Sequence, residues 1–229
     1  FHDAIFNLNL EEINQYKNLV KKRFNSIPIS FINSRIDFYE NKNYISSIQD
    51  IKFKIKSNLN MSAGTLKGLF LEDDLYMNFK SDTIENDTKT ILTIKLLESK
   101  LFTKISVNSS KLKNIYPNGS LLFKKDKNTF KAKFDYKNNK ITIKQANIRN
   151  NFFNGKVDGV IKFLPYFDFD LNINLDDLNF NKFYTFIDNL SDANKTNLFK
   201  TNEKVNGKLN ISADKIFSKN TLINSLESR

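Results

Sequence analysis

The chain has 229 residues and a formal net charge of +11, from 36 Lys and Arg against 25 Asp and Glu. It has no Cys and a single His, His2, which excludes disulfides, thiolate chemistry and cysteine zinc sites and leaves little for histidine catalysis. The positive charge is nearly all Lys on the polar positions of predicted strands. This is typical of a solvated sheet face, with surface binding of nucleic acid or another anionic polymer as the alternative.

The two ends predict that the chain is an internal piece of a longer protein. It begins at Phe1 rather than Met, and its last stretch, TLINSLESR, carries no terminating signal. No stretch approaches 18 consecutive apolar residues, so no transmembrane helix is predicted within these residues.

Residues 10–24 are predicted to form an amphipathic helix. Asn9 is a suitable N-cap, and apolar residues then recur at three- and four-residue steps. Pro28 ends the helical pattern. We therefore expect two regions, a helix and connector over residues 1–30 and a β region over residues 31–229.

From about Phe31 the apolar period becomes two, which is the period of a β-strand. The clearest stretch is GKVDGVIKFLPYFDFDLNINL, residues 155–175, where apolar side chains occupy the odd positions and Lys, Asp and Asn the even ones. Turns are predicted at residues 72–74 and 126–128. A short helix, capped by Asn179 or Asn181, is predicted near residues 181–190.

The motif Lys-Val-Asp/Asn-Gly occurs twice, at residues 156–159 and 204–207, and an alternating strand follows each copy. This weak internal repeat is typical of an elongated sheet built from similar units. The predicted fold class is therefore mainly β: an elongated, twisted and curled antiparallel sheet, forming an open β-groove, with a few short amphipathic helices.

A sheet with one apolar face must cover that face with a second sheet, with its own curl or with an apolar ligand such as an acyl chain. Leaving a large apolar side chain exposed forgoes about 1.5–3 kcal/mol. One hypothesis is a groove that binds acyl chains. The alternative is a structural or adhesive β-sandwich or solenoid with a closed core and no lipid ligand. The predicted groove lining is Phe53, Ile55, Leu59, Val157, Ile161, Phe163, Phe167, Phe169, Leu171, Ile173, Val205, Leu209 and Ile211.

Three stretches resemble the AsmA family and its TamB-like relatives. They are FFNGKVDGVIKFLPYFDFDLNINLDDLNFNKFYTFI, the return strand VNGKLNISADKIF, and KNTLINSLESR. The resemblance is best over residues 150–229 and vaguer over residues 48–147.

The resemblance implies a periplasmic β-groove, anchored to the bacterial inner membrane by an N-terminal helix that this chain lacks. The groove would carry phospholipid between the inner and outer membranes and support outer-membrane biogenesis and integrity. Its implied partners are phospholipid acyl chains, the inner membrane and outer-membrane assembly factors. The family has no enzyme active site, and no cofactor is implied.

Carboxylates are the only candidate catalytic groups. Asp73 and Asp74 are adjacent, as are Asp176 and Asp177, and adjacent residues of a strand point to opposite faces. Asp168 and Asp170 share a face, but that face is solvated. We therefore expect no catalytic residue, no metal site and no enzymatic activity. Nucleic acid is not an expected partner, because the pattern places aromatic residues and lysines on opposite faces, so that bases could not stack beside paired phosphates.

Overall fold

The computed structural model describes residues 1–9, 28–40, 42–112, 115–162, 167–189, 205–218, 221–223 and 226–228. The helix predicted over residues 10–24 lies outside the described residues, and so does Phe163. The chain forms two compact units, Phe1–Ile115 and Tyr116–Arg229. No change of composition in the sequence marks this boundary.

Unit 1 is a sheet of seven described strands. Its first two strands run parallel to each other, and each later strand pairs antiparallel with the one before it. The strands are β1 (Ile5–Asn9), β2 (Ile29–Glu40), β3 (Asn43–Ser57), β4 (Met61–Phe70), β5 (Asp73–Ile84), β6 (Asp87–Leu96) and β7 (Leu101–Ser110).

Unit 2 begins with five strands, and each strand after the first pairs antiparallel with the one before it. Its elements are β8 (Asn118–Lys125), β9 (Asn128–Lys137), β10 (Lys140–Arg149), β11 (Phe153–Lys162), β12 (Phe167–Asn179), α1 (Phe180–Asp188), β13 (Val205–Ala213), β14 (Ile216–Ser218), β15 (Thr221–Ile223) and β16 (Leu226–Ser228). Strand β12 is parallel to β13, and the connection between them includes α1.

The predicted fold class, a mainly β chain of antiparallel strands in an open sheet with a short helix, is confirmed. Among the described residues of either unit, the outermost strands of the sheet do not pair with each other. The described part of residues 155–175 forms two antiparallel strands, β11 up to Lys162 and β12 from Phe167. Its odd positions share a face because Val157 lies opposite Ile173 and Ile161 lies opposite Phe169.

The two copies of the internal repeat lie on either side of the same strand. Val157 and Gly159 of β11 pair with β12 on one side, and Val205 and Gly207 of β13 pair with it on the other. The repeated pattern therefore supplies both neighbours of β12, one antiparallel and one parallel.

Bulges keep apolar side chains on one face where the sequence parity changes. Ile48 and Ile51 of β3 are three residues apart and both buried, with an irregularity between Gln49 and Lys52 and a positive φ of 50° at Asp50. In β10 the register shifts between Ile143 and Gln145. Each bulge inserts one residue, so the strand re-enters the ladder with its apolar residues on the original face.

The predicted helix near residues 181–190 is confirmed as α1. The side chain of Asn179 accepts a hydrogen bond from the Lys182 N–H at 3.0 Å, as an N-cap does. The ring of Phe152 lies 5.7 Å from that of Phe183 and 5.4 Å from that of Phe186. These aromatic contacts hold the helix against the beginning of β11.

The two glycines of the repeat, Gly159 and Gly207, are required for different structural reasons. A Cβ at Gly159, where φ is +136°, would collide with the backbone of Asp170 in β12. A Cβ at Gly207 would meet only the ring of Phe169, which lies across it. Gly159 therefore allows close backbone approach, whereas Gly207 makes room for a side chain.

We expect Gly159→Ala to lower the free energy of unfolding by about 2–4 kcal/mol, because it adds both backbone strain and a clash with main-chain atoms. The matched change Gly207→Ala should cost about 1 kcal/mol or less, because a ring can move. Urea denaturation of the two variants measures the difference. Equal losses would contradict this account of the motif.

Candidate functional site: the apolar sheet faces

One face of unit 2 is apolar across six strands, β8 to β13. Its residues form a row of directly opposed cross-strand partners. From β8 to β12 this row is Leu121, Ala132, Ala146, Val157 and Ile173. Ile211 continues the row in β13. We call this surface the unit 2 apolar face.

The unit 2 apolar face is covered only in part. Of the residues that cluster at its centre, four are buried, and two of these are alanines, Ala132 and Ala146. The larger residues around them remain partly exposed: Leu121, Phe130, Ile141, Ile148, Ile161, Leu171 and Ile173. Towards the edge, Leu209 is 40% exposed and Ile211 is 37% exposed. Among the described residues, the cluster at its centre is formed by side chains of strands β8 to β12 alone.

Unit 1 has an equivalent surface, the unit 1 apolar face. Its buried residues are Ile48, Ile51 and Leu75. Around Ile48 and Leu75 lies a hollow of about 350 Å³ with an almost wholly apolar wall. The other residues that line it are Phe38, Ile45, Ser46, Phe70, Met77, Ile94 and Leu96.

Most of the predicted lining residues lie on these two faces. Phe53 and Ile55 are half-buried in unit 1. In unit 2, β11, β12 and β13 bring seven together in one register: Val157, Ile161, Phe169, Leu171, Ile173, Leu209 and Ile211. Phe167 and Val205 pair with each other at the beginning of β12 and β13.

Leu59 is not on a strand. It lies in the turn between β3 and β4 and is 76% exposed. The reason is local, because the Asn58 side chain accepts hydrogen bonds from the N–H groups of Asn60, at 3.0 Å, and Met61, at 2.7 Å. This asparagine turn reverses the chain.

Sequence reasoning missed the hollow of unit 1. The available signal was alternation, since Leu92, Ile94 and Leu96 of β6 share one parity. It was obscured because the opposite face of the sheet is also partly apolar, at Leu69 of β4 and Ile91 of β6. Only the register, which puts Met77 opposite Ile94, identifies these residues as one surface.

The paired carboxylates do not form an acid–base site. Asp73 is buried, and its carboxylate accepts hydrogen bonds from the N–H groups of Glu98 and Ser99, each at 2.9 Å. Its neighbour Asp74 is exposed on the other face. Within the described residues, no group of three or more His, Cys, Asp or Glu side chains is placed to hold a metal ion.

The solvated face of unit 2 is joined by side-chain hydrogen bonds. The amide of Asn172 donates to Asp158 at 2.9 Å, and the amide of Asn210 donates to Asn172 at 2.8 Å. Lys162 and Asp168 form an ion pair at 3.0 Å. These contacts give the even positions of β11 to β13 a structural role.

The expected separation of lysines and aromatic residues is wrong in unit 1. Tyr76 of β5 lies directly between Lys67 of β4 and Lys95 of β6, and each ammonium nitrogen is 5.9 Å from the centre of its ring. Phe102 lies opposite Lys95 in the same row. The two residue classes share a face here because apolar residues occur on both parities of β5 to β7.

Comparison of the sequence with protein-family models, with curated proteins and with solved structures finds no match. The described residues contain no helix with the length and hydrophobicity of a transmembrane segment. The two apolar faces must therefore be interpreted from their own geometry and chemistry.

The Asp73 carboxylate should make stability depend on pH. The Ser99 side chain, and the N–H groups of residues 97–99, hold the pKa of Asp73 below its ordinary value of 3.8, against the opposing effect of burial. A depressed pKa in the folded state stabilises the protein above pH 3.8, and this stability is lost as the pH falls through the folded-state pKa.

We therefore expect Asp73→Asn to lower the melting temperature at neutral pH, and the difference from the native chain to shrink as the pH falls below about 4. Thermal denaturation over a pH series measures both effects. Asp74→Asn, on the opposite face, is the matched control and should lower the melting temperature much less. A constant difference at every pH would contradict the carboxylate's role.

Proposed function

We propose that this chain is a non-enzymatic segment of an AsmA-like bacterial envelope protein, and that its apolar faces hold phospholipid acyl chains. In this proposal the segment lies in the periplasm, and the protein that contains it is anchored to the inner membrane. It would help to move phospholipid between the inner and outer membranes and so support outer-membrane biogenesis and integrity.

One observation carries the proposal: each unit has a continuous apolar face that the described residues leave only partly covered. On the unit 2 apolar face, large residues such as Ile161 and Leu171 remain partly exposed beside buried Ala146 and Val157. Half-exposed aliphatic side chains retain part of the free energy that further burial would release, about 1 kcal/mol each. A ligand without hydrogen-bonding groups along its length can gain that energy.

The chemistry of the faces fits an acyl chain. The wall of the unit 1 hollow is formed by Ile, Leu, Met and Phe side chains, with Ser46 as its single polar residue. Across β11 to β13, the pairs Ile161–Phe169 and Leu171–Leu209 add no polar atom to the surface. An acyl chain needs burial without hydrogen bonds, and these surfaces offer that environment.

The closed-core alternative requires a cover. A sandwich core would be formed by two packed sheets about 10 Å apart. In the described residues, each of the two apolar clusters is formed by side chains of neighbouring strands in the sheet. This arrangement supports an accessible face over a sealed interior.

A charge on the unit 2 apolar face should abolish acyl-chain binding without unfolding the chain. Leu209 is 40% exposed, so an aspartate there stays hydrated in the lipid-free protein but must be desolvated against an acyl chain. We expect Leu209→Asp to weaken binding of a phospholipid with a fluorescent acyl chain at least about tenfold. The melting temperature should change little, as for most partly exposed positions.

Asn206→Asp, on the opposite face of the same strand, adds the same charge and is the matched control. It should bind the phospholipid as the native chain does. A photoreactive residue at Leu209 should crosslink to the acyl chain, and one at Lys208 should not. Unchanged binding by Leu209→Asp, or crosslinks only at Lys208, would contradict the proposal. A native chain that binds no phospholipid would favour the closed-core alternative.

A further inference from the structure

The face of unit 1 opposite its apolar face carries a dense array of lysines. Even positions of β3, and register partners in β4, β6 and β7, place them on one side of the sheet. We call this the lysine face, defined by six exposed residues: Lys52, Lys54, Lys56, Lys67, Lys95 and Lys104.

The charge of the lysine face is not neutralised by the sheet. Among the described residues, none of the six lysines forms an ion pair within 4.0 Å of a carboxylate. By contrast, Lys80 on the same side pairs with Asp82 at 2.9 Å. Two further carboxylates, Asp50 and Asp74, border the array in a hollow of about 600 Å³. Six lysines against these two leave the array strongly positive.

The register makes the array unfavourable for the isolated sheet. Lys52 lies directly opposite Lys67 in the β3–β4 ladder. Like charges in that position destabilise an antiparallel pair. Stability alone therefore does not explain the arrangement, and an anionic surface would relieve the repulsion.

We propose that the lysine face docks on the anionic headgroups of a lipid bilayer. The array is two-dimensional: the four residue steps along β3 from Lys52 to Lys56 span about 13 Å, and the four strand spacings from β3 to β7 span about 19 Å. Lysine is a compact point charge on a flexible stem, suited to diffuse attraction by many headgroups. A planar array of such charges complements a surface better than it complements a thin strand.

Apolar groups lie among the lysines in a way that suits a membrane interface. Leu69 and Ile91 are half-buried on the same side of the sheet, as are Tyr76 and Phe102. Aromatic side chains with an apolar body are favoured at the level of the headgroups. The aliphatic stems of the lysines can cover apolar surface while their ammonium groups reach the phosphates.

The same geometry disfavours nucleic acid as the occupant. The ammonium groups of Lys67 and Lys95 lie over the ring of Tyr76, each 5.9 Å from its centre, so cations already occupy the place where a base would stack. The only arginine among the described residues of unit 1 is Arg35, which pairs with Asp37 at 2.9 Å. Bidentate readers of bases or phosphates are therefore missing from the described part of this face.

The test measures binding of the native chain to phosphatidylcholine vesicles with and without phosphatidylglycerol, by flotation. We expect binding only to the anionic vesicles, and a steep decrease with added salt. The triple variant Lys52→Gln, Lys67→Gln, Lys95→Gln should bind the anionic vesicles at least about tenfold more weakly, since each lysine near an anionic surface contributes to the free energy of binding. The matched control on unit 2 is Lys124→Gln, Lys131→Gln, Lys133→Gln, which removes the same net charge and should reduce binding much less.

An equal loss in the control would mean that net charge alone binds the vesicles, and would overturn the proposal. Equal binding to neutral vesicles would overturn it as well, and so would preference for a single-stranded oligonucleotide over anionic vesicles. Folding is checked separately with Lys52→Gln, which removes the repulsion with Lys67 and should raise the melting temperature slightly while weakening vesicle binding. A lower melting temperature would show that Lys52 serves the fold instead.

This inference does not depend on the acyl-chain proposal, because it concerns the opposite side of a sheet and headgroup charge rather than acyl chains. Leu209→Asp, which blocks the unit 2 apolar face, should leave vesicle binding unchanged. The two proposals can therefore fail separately.

Discussion

The hydrogen-bonded ladder satisfies the backbone of a sheet, but it covers neither of its faces. Both the partly covered apolar faces and the bulges that keep them continuous follow from this limit. In unit 2, small residues such as Ala146 are buried beneath larger neighbours of the same face, while Leu209 and Ile211 remain substantially exposed. A face that packs only against itself leaves part of its hydrophobic free energy unrealised. Within the part of the chain that the structure describes, the apolar faces are thus incomplete as cores but suitable as binding surfaces.

Keeping such a face continuous demands strict control of parity, because a slip of one residue turns every later side chain to the other side. The chain meets this demand with bulges. At Asp50 in β3 the inserted residue restores Ile48 and Ile51 to one face. At β11 and β12 the register shifts beyond Asn154, so that Phe153 meets Leu178 while Gly155 meets Leu175. The irregularities therefore preserve the surface that the regular strands create.

Whether a segment forms a strand or a helix could be predicted well from the sequence, because hydrophobic periodicity and helix capping are local properties. Helix α1 and its Asn179 cap follow from a few adjacent residues, and so does the alternation in β12. It could not predict properties that depend on pairing. Leu59 keeps the parity of β3, but a hydrogen-bonded turn at Asn58 removes it from the sheet. The hollow of unit 1 is formed by residues of five strands in register, so the pattern of a single strand cannot predict it.

The pairing also changes how the charge of +11 is understood. Along the chain, lysines at alternate positions are typical of any strand with one solvated face. Read across the sheet, Lys52, Lys67 and Lys95 form one row with Tyr76, and two of the lysines face each other. Repulsion in that row and exposure on the apolar face are both costs to the isolated fold, and they lie on opposite sides of unit 1. An anionic phospholipid combines two chemistries that match these two faces. Its acyl chain suits the apolar face, and its headgroup suits the lysine face. The same molecule class can thus account for both costs, at two separate surfaces.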